Sequence, residues 1–463
     1  MTAATVAGPT TDLAGLAAGL DAAALPARVT EVTGHCLTDF IAVAALGGGV
    51  DSSAPVLATI GSLSLGGPIT VIGRAAGASA EHAALLNGTF AHTLDFDDTN
   101  IGAKLHPGAP VIAAALAAAE YGDSTGPDLV AGIVAGYEVT CRIGRALGEG
   151  AYDRGFHPTA VAGTFGAAAG AGRVLGASET EIRAALGVAG SMAAGSMQFL
   201  GNGSWNKRLH PGLAARNGLL AALLARDGFR GSEQALEGAS GALVNYSSEA
   251  DPAELTRDLG SGWLMLDTGF KPYPSCRLTH TPTDLCLQVR DELGRAPVPG
   301  EKITVTISPR ADSIVGGGQP QKVRPQNVVD AQFSVRYQCA VALLDGEVNW
   351  SSYADLRRPD VIALAERLDV VVDPEQALAA AELRVDRAGE TVLRLRRDAP
   401  RGESGDPANP AVVETKLRQA STGIWSPQRL ERLVRLCQAP SDLPSAREWI
   451  PLLAAEAGAG AAR

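Results

Sequence analysis

From about residue 10 to residue 265 apolar residues recur at helical spacing with almost no break, drawn heavily from alanine and interleaved with glycine. "PARVTEVTGHCLTDFIAVAALGG" ends on glycines. "GPDLVAGIVAGYEVTCRIGRALGEG" opens with Pro127 in a first turn and also stops at glycine. "SETEIRAALGVAGSMAAG" begins with the Ser-x-x-Glu capping-box pattern at Ser178 and Glu181. Small side chains let helix axes approach closely. With aromatic residues at only 5%, the core must come from such close helix contacts rather than from large rings.

The pattern changes near residue 270. "EKITVTISP" alternates Ile303, Val305 and Ile307 as a strand would, and "AELRVDRAGETVLRLRRDAP" reads as two strands joined through Ala388-Gly389. "NVVDAQFSVRYQCAVALLDGEV" reads as a helix, and "RPDVIALAERLDVVV" as a helix running into a strand. "SPQRLERLVRLCQA" returns to helix, with Pro427 at its start. The expected fold is mainly α. A large all-helical domain spans 1–268, with 408–463 packing back onto it, and a smaller α+β domain spans 269–407.

With 463 residues, 46% of them hydrophobic and 19% charged, the chain can bury a large core, and disorder is not expected. A net charge of −11 argues against nucleic acid as a partner. Six cysteines without a C-x-x-C pair read as the reduced thiols of a cytoplasmic protein. The N-terminus lacks a basic region and carries Asp12, so no signal peptide is expected. The apolar runs are too short or too charge-broken for a membrane span.

Chemistry gathers first in residues 92 to 110, "HTLDFDDTNIGAKLHPGAP". Three carboxylates, Asp95, Asp97 and Asp98, stand between His92 and His106. A calcium loop counted from Asp95 would need glycine at position six and glutamate at position twelve, where the chain has Asn100 and His106. No H-E-x-x-H occurs, and "TNIGAKL" adds no carboxylate for a magnesium–diphosphate site, so no metal is expected.

Three of the seven histidines precede proline: His106, His157 and His210. Proline disfavours helical geometry in the residue before it and fits a first turn, which predicts each histidine at a helix entrance. Exposed amides there attract anions, and an imidazole titrating near neutrality can move protons. A turn followed by a helix start is the plain reading of any one His-Pro pair; three together point to a shared site. "WNKRLHPG" supplies Lys207 and Arg208, and "FKPYPSCRLTH" supplies Lys271, Arg277 and His280 near the change of pattern. Such cations would neutralise substrate carboxylates, and a desolvated lysine can act as a base. Solvated surface charge is the commoner fate of these residue types and is the expectation for Arg208. "GAAAGAGRVLGAS" spaces its glycines as G-x-G-x-x-x-G with no strand before it. Small-residue helix packing explains it better than a dinucleotide loop does.

The ordered set "HTLDFDDTN…LHPGAP", "RGFHPTAVAGTFGAAAGAGRVLG", "NKRLHPGLAARNG", "KPYPSCRLTH" and "DAQFSVRYQCAVALLDG" resembles the MmgE/PrpD family over roughly residues 30 to 345. That family includes 2-methylcitrate dehydratase, cis-aconitate decarboxylase and iminodisuccinate epimerase. The resemblance implies a helical domain with a smaller α+β lid, a homodimer, and cofactor-free chemistry on small anionic carboxylates. Family active-site positions correspond to Asp95, Thr99, His106, His157, Lys207 and His280, with Asp97, Asp98 and His210 in supporting places. Arg277 and Lys271 would bind the substrate anion. Two departures stand out. The decarboxylases carry a tyrosine shortly before an Arg-Pro pair, where this chain reads "GGGQPQKVRP". The loop "NIGAKL" is short beside the tryptophan-containing version of bacterial 2-methylcitrate dehydratases. The expected function is a lyase that dehydrates or hydrates a small carboxylate by removing the proton next to an acid group. Decarboxylation and epimerisation through the same enolate-like intermediate are the alternatives, and a catalytically lapsed binding protein is the reading from another class.

Overall fold

The computed structural model describes residues 7–63 and 66–456. The fold is mainly helical, as its periodicity predicts. The chain divides into two compact units. Met1–Leu200, Trp205–Phe270 and Asn409–Arg463 make the first; Gly201–Ser204 and Lys271–Ala408 make the second.

In the first unit, the helices Ala80–His92, Gly108–Gly122, Gly126–Leu147, Pro158–Val174 and Asn206–Arg226 pack on one another through small residues. Two crossings show why glycine is needed. A Cβ on Gly166 would lie 1.7 Å from Thr140 Oγ1 and 2.6 Å from the Gly136 carbonyl, and one on Gly212 would lie 2.3 Å from the Leu85 carbonyl. Gly108–Gly122 is buried from Gly108 through Glu120, as befits a central helix. Both predicted N-terminal signals form, and the Gly126–Leu147 helix adds a capping box between Thr125 and Asp128.

Among the described residues, Ala27–Gly47 is long and apolar enough to cross a membrane, but 78% of its most apolar window is buried inside the protein, as in a core helix. The helices Asn409–Ala420 and Pro427–Gln438 belong to this same unit. Lys416 reaches Asp39 at 2.6 Å, a fully buried pair, and its ammonium lies 4.1 Å from the Phe96 ring centroid. A two-residue antiparallel ladder, β1 (Thr99–Asn100) against β2 (Thr268–Gly269), interrupts the all-helical pattern.

One expectation needs correction. His210 is not at a helix entrance: the helix begins at Asn206 and runs through Pro211. The proline falls in the second turn, where its missing N–H costs one bond, to the Lys207 carbonyl, and the packed glycine face at Gly212 holds the helix on course.

The second unit is built on a four-stranded sheet. β3 (Glu301–Ile307) lies between β4 (Asp369–Val372), which is parallel to it, and β5 (Ala381–Arg387), which is antiparallel; β6 (Glu390–Arg397) completes the order β4-β3-β5-β6. Ala388 and Gly389 both have positive φ, 53° and 88°, the backbone that a two-residue hairpin needs to match strand twist. Ile303, Val305, Ile307, Leu383 and Val385 share one core with Leu285, Val289 and Val341. The single helix expected from Asn327 to Val348 is instead two, Val328–Gln332 and Val335–Asp345. Ser334 stops the first and caps the second by accepting from the Tyr337 amide at 3.1 Å.

Candidate active site

Three helix ends and one loop of the first unit converge on a polar cluster. The Ala80–His92 helix ends on His92, and the chain then turns through Asp95, whose φ of 51° is a left-handed conformation that aspartate tolerates. This turn aims the next carboxylates in different directions. Asp98 accepts from the Gly108 amide at 3.0 Å and from the Tyr137 hydroxyl at 2.5 Å, so it caps the Gly108–Gly122 helix. Burial, helped by the Asp39 charge, pushes its pKa up to about 8. Asp97 faces the other way, toward two imidazoles.

The His92 Nδ1 stands 2.8 Å from Asp97 Oδ2, and the His106 Nδ1 lies 3.3 Å from the same oxygen. On its far side the His106 Nε2 is 3.9 Å from Asp95 Oδ1, and Asp95 Oδ2 holds the Lys207 ammonium at 2.8 Å. The result is one continuous line, His92–Asp97–His106–Asp95–Lys207. His106 is placed by its own amide, which donates to Thr159 Oγ1 at 3.1 Å. His157 is the N-cap of Pro158–Val174, its amide donating to the Gly195 carbonyl at 2.9 Å. Its ring centroid lies 5.8 Å from that of His92, and its Nδ1 lies 3.1 Å from the Nδ1 of His210. Lys207 and His210, three residues apart, share a face of the Asn206–Arg226 helix.

Electrostatics follow from burial. Burial drives His92 down to about 4, against the pull of Asp97, and takes His210 to about 4 as well. His157 also falls well below the ordinary histidine range, first by burial and then by the neighbouring His92 and His210. Burial opposes the Asp97 charge, but His92 and His106 more than reverse it and hold the carboxyl well below its usual range. A neutral His92 facing a carboxylate must carry its proton on Nδ1. Its buried Nε2, which has no hydrogen-bond partner, is therefore bare. The buried Thr99 Oγ1 likewise lacks a protein partner.

Arg208 departs from the surface-charge expectation. It is 8% exposed, donates through Nη1 to Ser52 Oγ at 2.7 Å, and leaves Nη2 buried without a partner. Burial lowers its pKa only to about 10, so it remains a cation. Arg208, His92 and His210 were not singled out as site residues by sequence. His210 carried the His-Pro signal and a supporting place in the resemblance, His92 had only its proximity to chosen neighbours, and Arg208 only its adjacency to Lys207.

Lys271, Arg277 and His280 belong to the second unit. Lys271 is 1% exposed. The Arg277 guanidinium donates through Nε to Glu403 at 2.8 Å and through Nη1 to the Arg401 carbonyl at 2.9 Å. Arginine only donates, so the His280 Nδ1, 3.1 Å from Arg277 Nη1, is an acceptor. The His280 Nε2–H then donates to the Ser275 carbonyl at 3.2 Å. Both nitrogens of this ring are engaged.

Ligand atoms of His92, Asp97 and His106 lie within 4.8 Å of one another, close enough to hold a cation. Both Nδ1 atoms nevertheless approach a single carboxylate oxygen, which is also the geometry of two imidazoles ordered by one acceptor.

A family model described as the MmgE/PrpD N-terminal domain matches residues 11–255, and one described as the MmgE/PrpD C-terminal domain matches residues 273–439. Among curated proteins, the cis-aconitate decarboxylase of Aspergillus terreus is 30% identical over 453 residues, covering 92% of each chain. The cis-aconitate decarboxylase of Homo sapiens is 30% identical over 78% of this chain and 77% of its own, and that of Mus musculus is 28% identical over 78% and 76%.

Proposed function

The chain belongs to the MmgE/PrpD family, and from that premise we propose that it is a lyase acting on a small polycarboxylate by proton transfer at the carbon beside an acid group. The observation that carries this reading is the unbroken line from Lys207 through Asp95, His106 and Asp97 to His92, with the buried ring of His157 alongside it.

His157 is the base, since burial keeps its ring neutral and able to take a proton. Lys207 and Arg208 bind the substrate carboxylates and stabilise the enolate-like charge, with the Thr99 hydroxyl as a neutral donor. His106, between Asp97 and Asp95, delivers a proton to the departing hydroxyl. The α-proton thus goes to His157, the carbon–oxygen bond breaks, and the hydroxyl leaves as water. Asp95 fixes Lys207 and His106 together. The reaction draws on side chains alone, and the expected homodimer is open to sedimentation analysis.

Dehydration or hydration stands first because the decarboxylase pattern of a tyrosine before Arg-Pro is missing: no tyrosine occurs between Tyr273 and Tyr337. The names of the relatives favour a second reading, decarboxylation of a cis-aconitate-like acid. There carbon dioxide leaves in place of a proton, and the same histidines protonate the carbon. Incubating the protein with citrate, 2-methylcitrate and cis-aconitate in D₂O and following each by NMR separates the two. New water-loss or hydration products support the first reading, and release of carbon dioxide from cis-aconitate supports the second. An inert protein across the panel contradicts both.

A further inference from the structure

The pair His157–His210 does more than crowd two rings together. Their Nδ1 atoms face each other at 3.1 Å, with ring planes tilted by 44°. Two imidazoles can meet at hydrogen-bond distance through Nδ1 only if one carries a proton there and the other does not. Tautomers are then locked in opposition. The ring that donates from Nδ1 has a bare Nε2, and the ring that accepts at Nδ1 keeps an Nε2–H. We propose that His210 is a positioning residue for His157, sharing one proton between the two Nδ1 atoms so that the resting pair presents one bare Nε2 and one protonated Nε2. This rests on the reading of His157 as the base.

The surroundings are built for the pair. Gly195 has a φ of 148°, and a Cβ there would lie 2.6 Å from Ala160 Cβ and 3.5 Å from His210 Nδ1. That backbone and the approach to Ala160 call for glycine, and a Cβ there would stand in ordinary van der Waals contact with both histidines. Phe199 edges both, with centroids 6.3 Å from His157 and 6.1 Å from His210. The titratable groups facing the pair are His92 at the end of its helix, His106 in the loop before Gly108–Gly122, and Lys207 on the helix of His210 itself. All three oppose extra positive charge, which keeps a single shared proton rather than two.

The consequence is chemical. When His157 donates the shared proton, its Nε2 is free to take the substrate's α-proton, and the ring becomes an imidazolium. The shared proton then passes to His210 Nδ1, which leaves His157 neutral with the new proton on Nε2. The positive charge now sits on His210. Returning the Nδ1 proton resets the pair when His157 gives its Nε2 proton to product or solvent. Proton count and charge balance at every stage.

Nitrogen NMR of the unliganded protein labelled with ¹⁵N-histidine tests this without any substrate. The expected result is one Nδ1 protonated and one bare, with a single proton correlated to both. His210→Asn, which keeps a polar atom near the Nδ1 position, should hold His157 in one tautomer, whereas His210→Phe should release it into a mixture. For the panel acid that the wild-type protein turns over fastest, His210→Phe should lower kcat about a hundredfold with little change in KM, and His210→Asn should restore it to within about tenfold. Two protonated Nδ1 atoms, a His157 tautomer unmoved in His210→Phe, or an unchanged kcat in that variant overturns the proposal. A protein inert toward the whole panel sinks the lyase reading, while the tautomer spectra still decide the fate of the pair.

Discussion

At the scale of the residue, burial does most of the chemical tuning. His92 and His210 are held neutral with folded-state values near 4, against about 6.5 in an unfolded chain. Between those values the unfolded state binds more protons than the folded one, so stability rises with pH across that window and falls as pH drops from about 6.5 to about 4. By linkage each ring contributes on the order of 3 kcal/mol to the loss. Asp98 acts oppositely: with its pKa raised, its contribution weakens as pH rises from about 4 toward about 8. Urea unfolding at a series of pH values checks the balance. His92→Gln should flatten the acid limb, and an unchanged limb would contradict the assignment.

Asp95→Asn offers a second test, because it removes the carboxylate that holds Lys207 while keeping the shape of the turn. Activity should drop by about a hundredfold or more with stability nearly intact. Chelator treatment addresses His92, Asp97 and His106 as an ordered pair of rings on one acceptor. Activity should survive it, and loss restored by a divalent ion would show that the cluster works as a metal site.

Elements decide which of these residues could be read in advance. His106 and His157 announce themselves through proline, and the structure does put each just ahead of a helix start. His210 carries the same signal, yet sits inside a helix, because tertiary packing along the Gly212 face outweighs one lost backbone bond. Arg208 had only its adjacency to Lys207 as a local signal; its hydrogen-bond partner Ser52 lies more than a hundred and fifty residues earlier in the chain. His92 ends its helix facing Asp97, a partner set by the left-handed turn at Asp95 that composition does not reveal. The strands of the second unit were legible by alternation, while the break at Ser334 depended on a cap inside an otherwise helical run. Gly212→Ala tests the close helix crossing. A Cβ there meets the Leu85 carbonyl, so stability should fall by about 1–3 kcal/mol, read from thermal or urea unfolding. A variant as stable as the wild type would show that the crossing relaxes.

For the whole molecule, the mainly helical class followed from periodicity over long stretches, where pattern is most informative. Long-range pairing was less visible. Lys416 and Asp39 lie 377 residues apart and form a buried ion pair in the first unit. Nothing near either residue signals the other. Lys416→Ala strands a buried carboxylate and should cost about 3–5 kcal/mol, whereas a double change of Lys416 and Asp39 to apolar residues should recover much of it.

Solvent exchange directly reads whether this cluster moves a proton at carbon. With the panel acids in D₂O, the wild-type protein should wash deuterium into the carbon beside a carboxylate of its substrate, and His157→Ala and Lys207→Ala should each slow that exchange by about a hundredfold or more while remaining folded. Exchange at the wild-type rate in both variants would contradict the account.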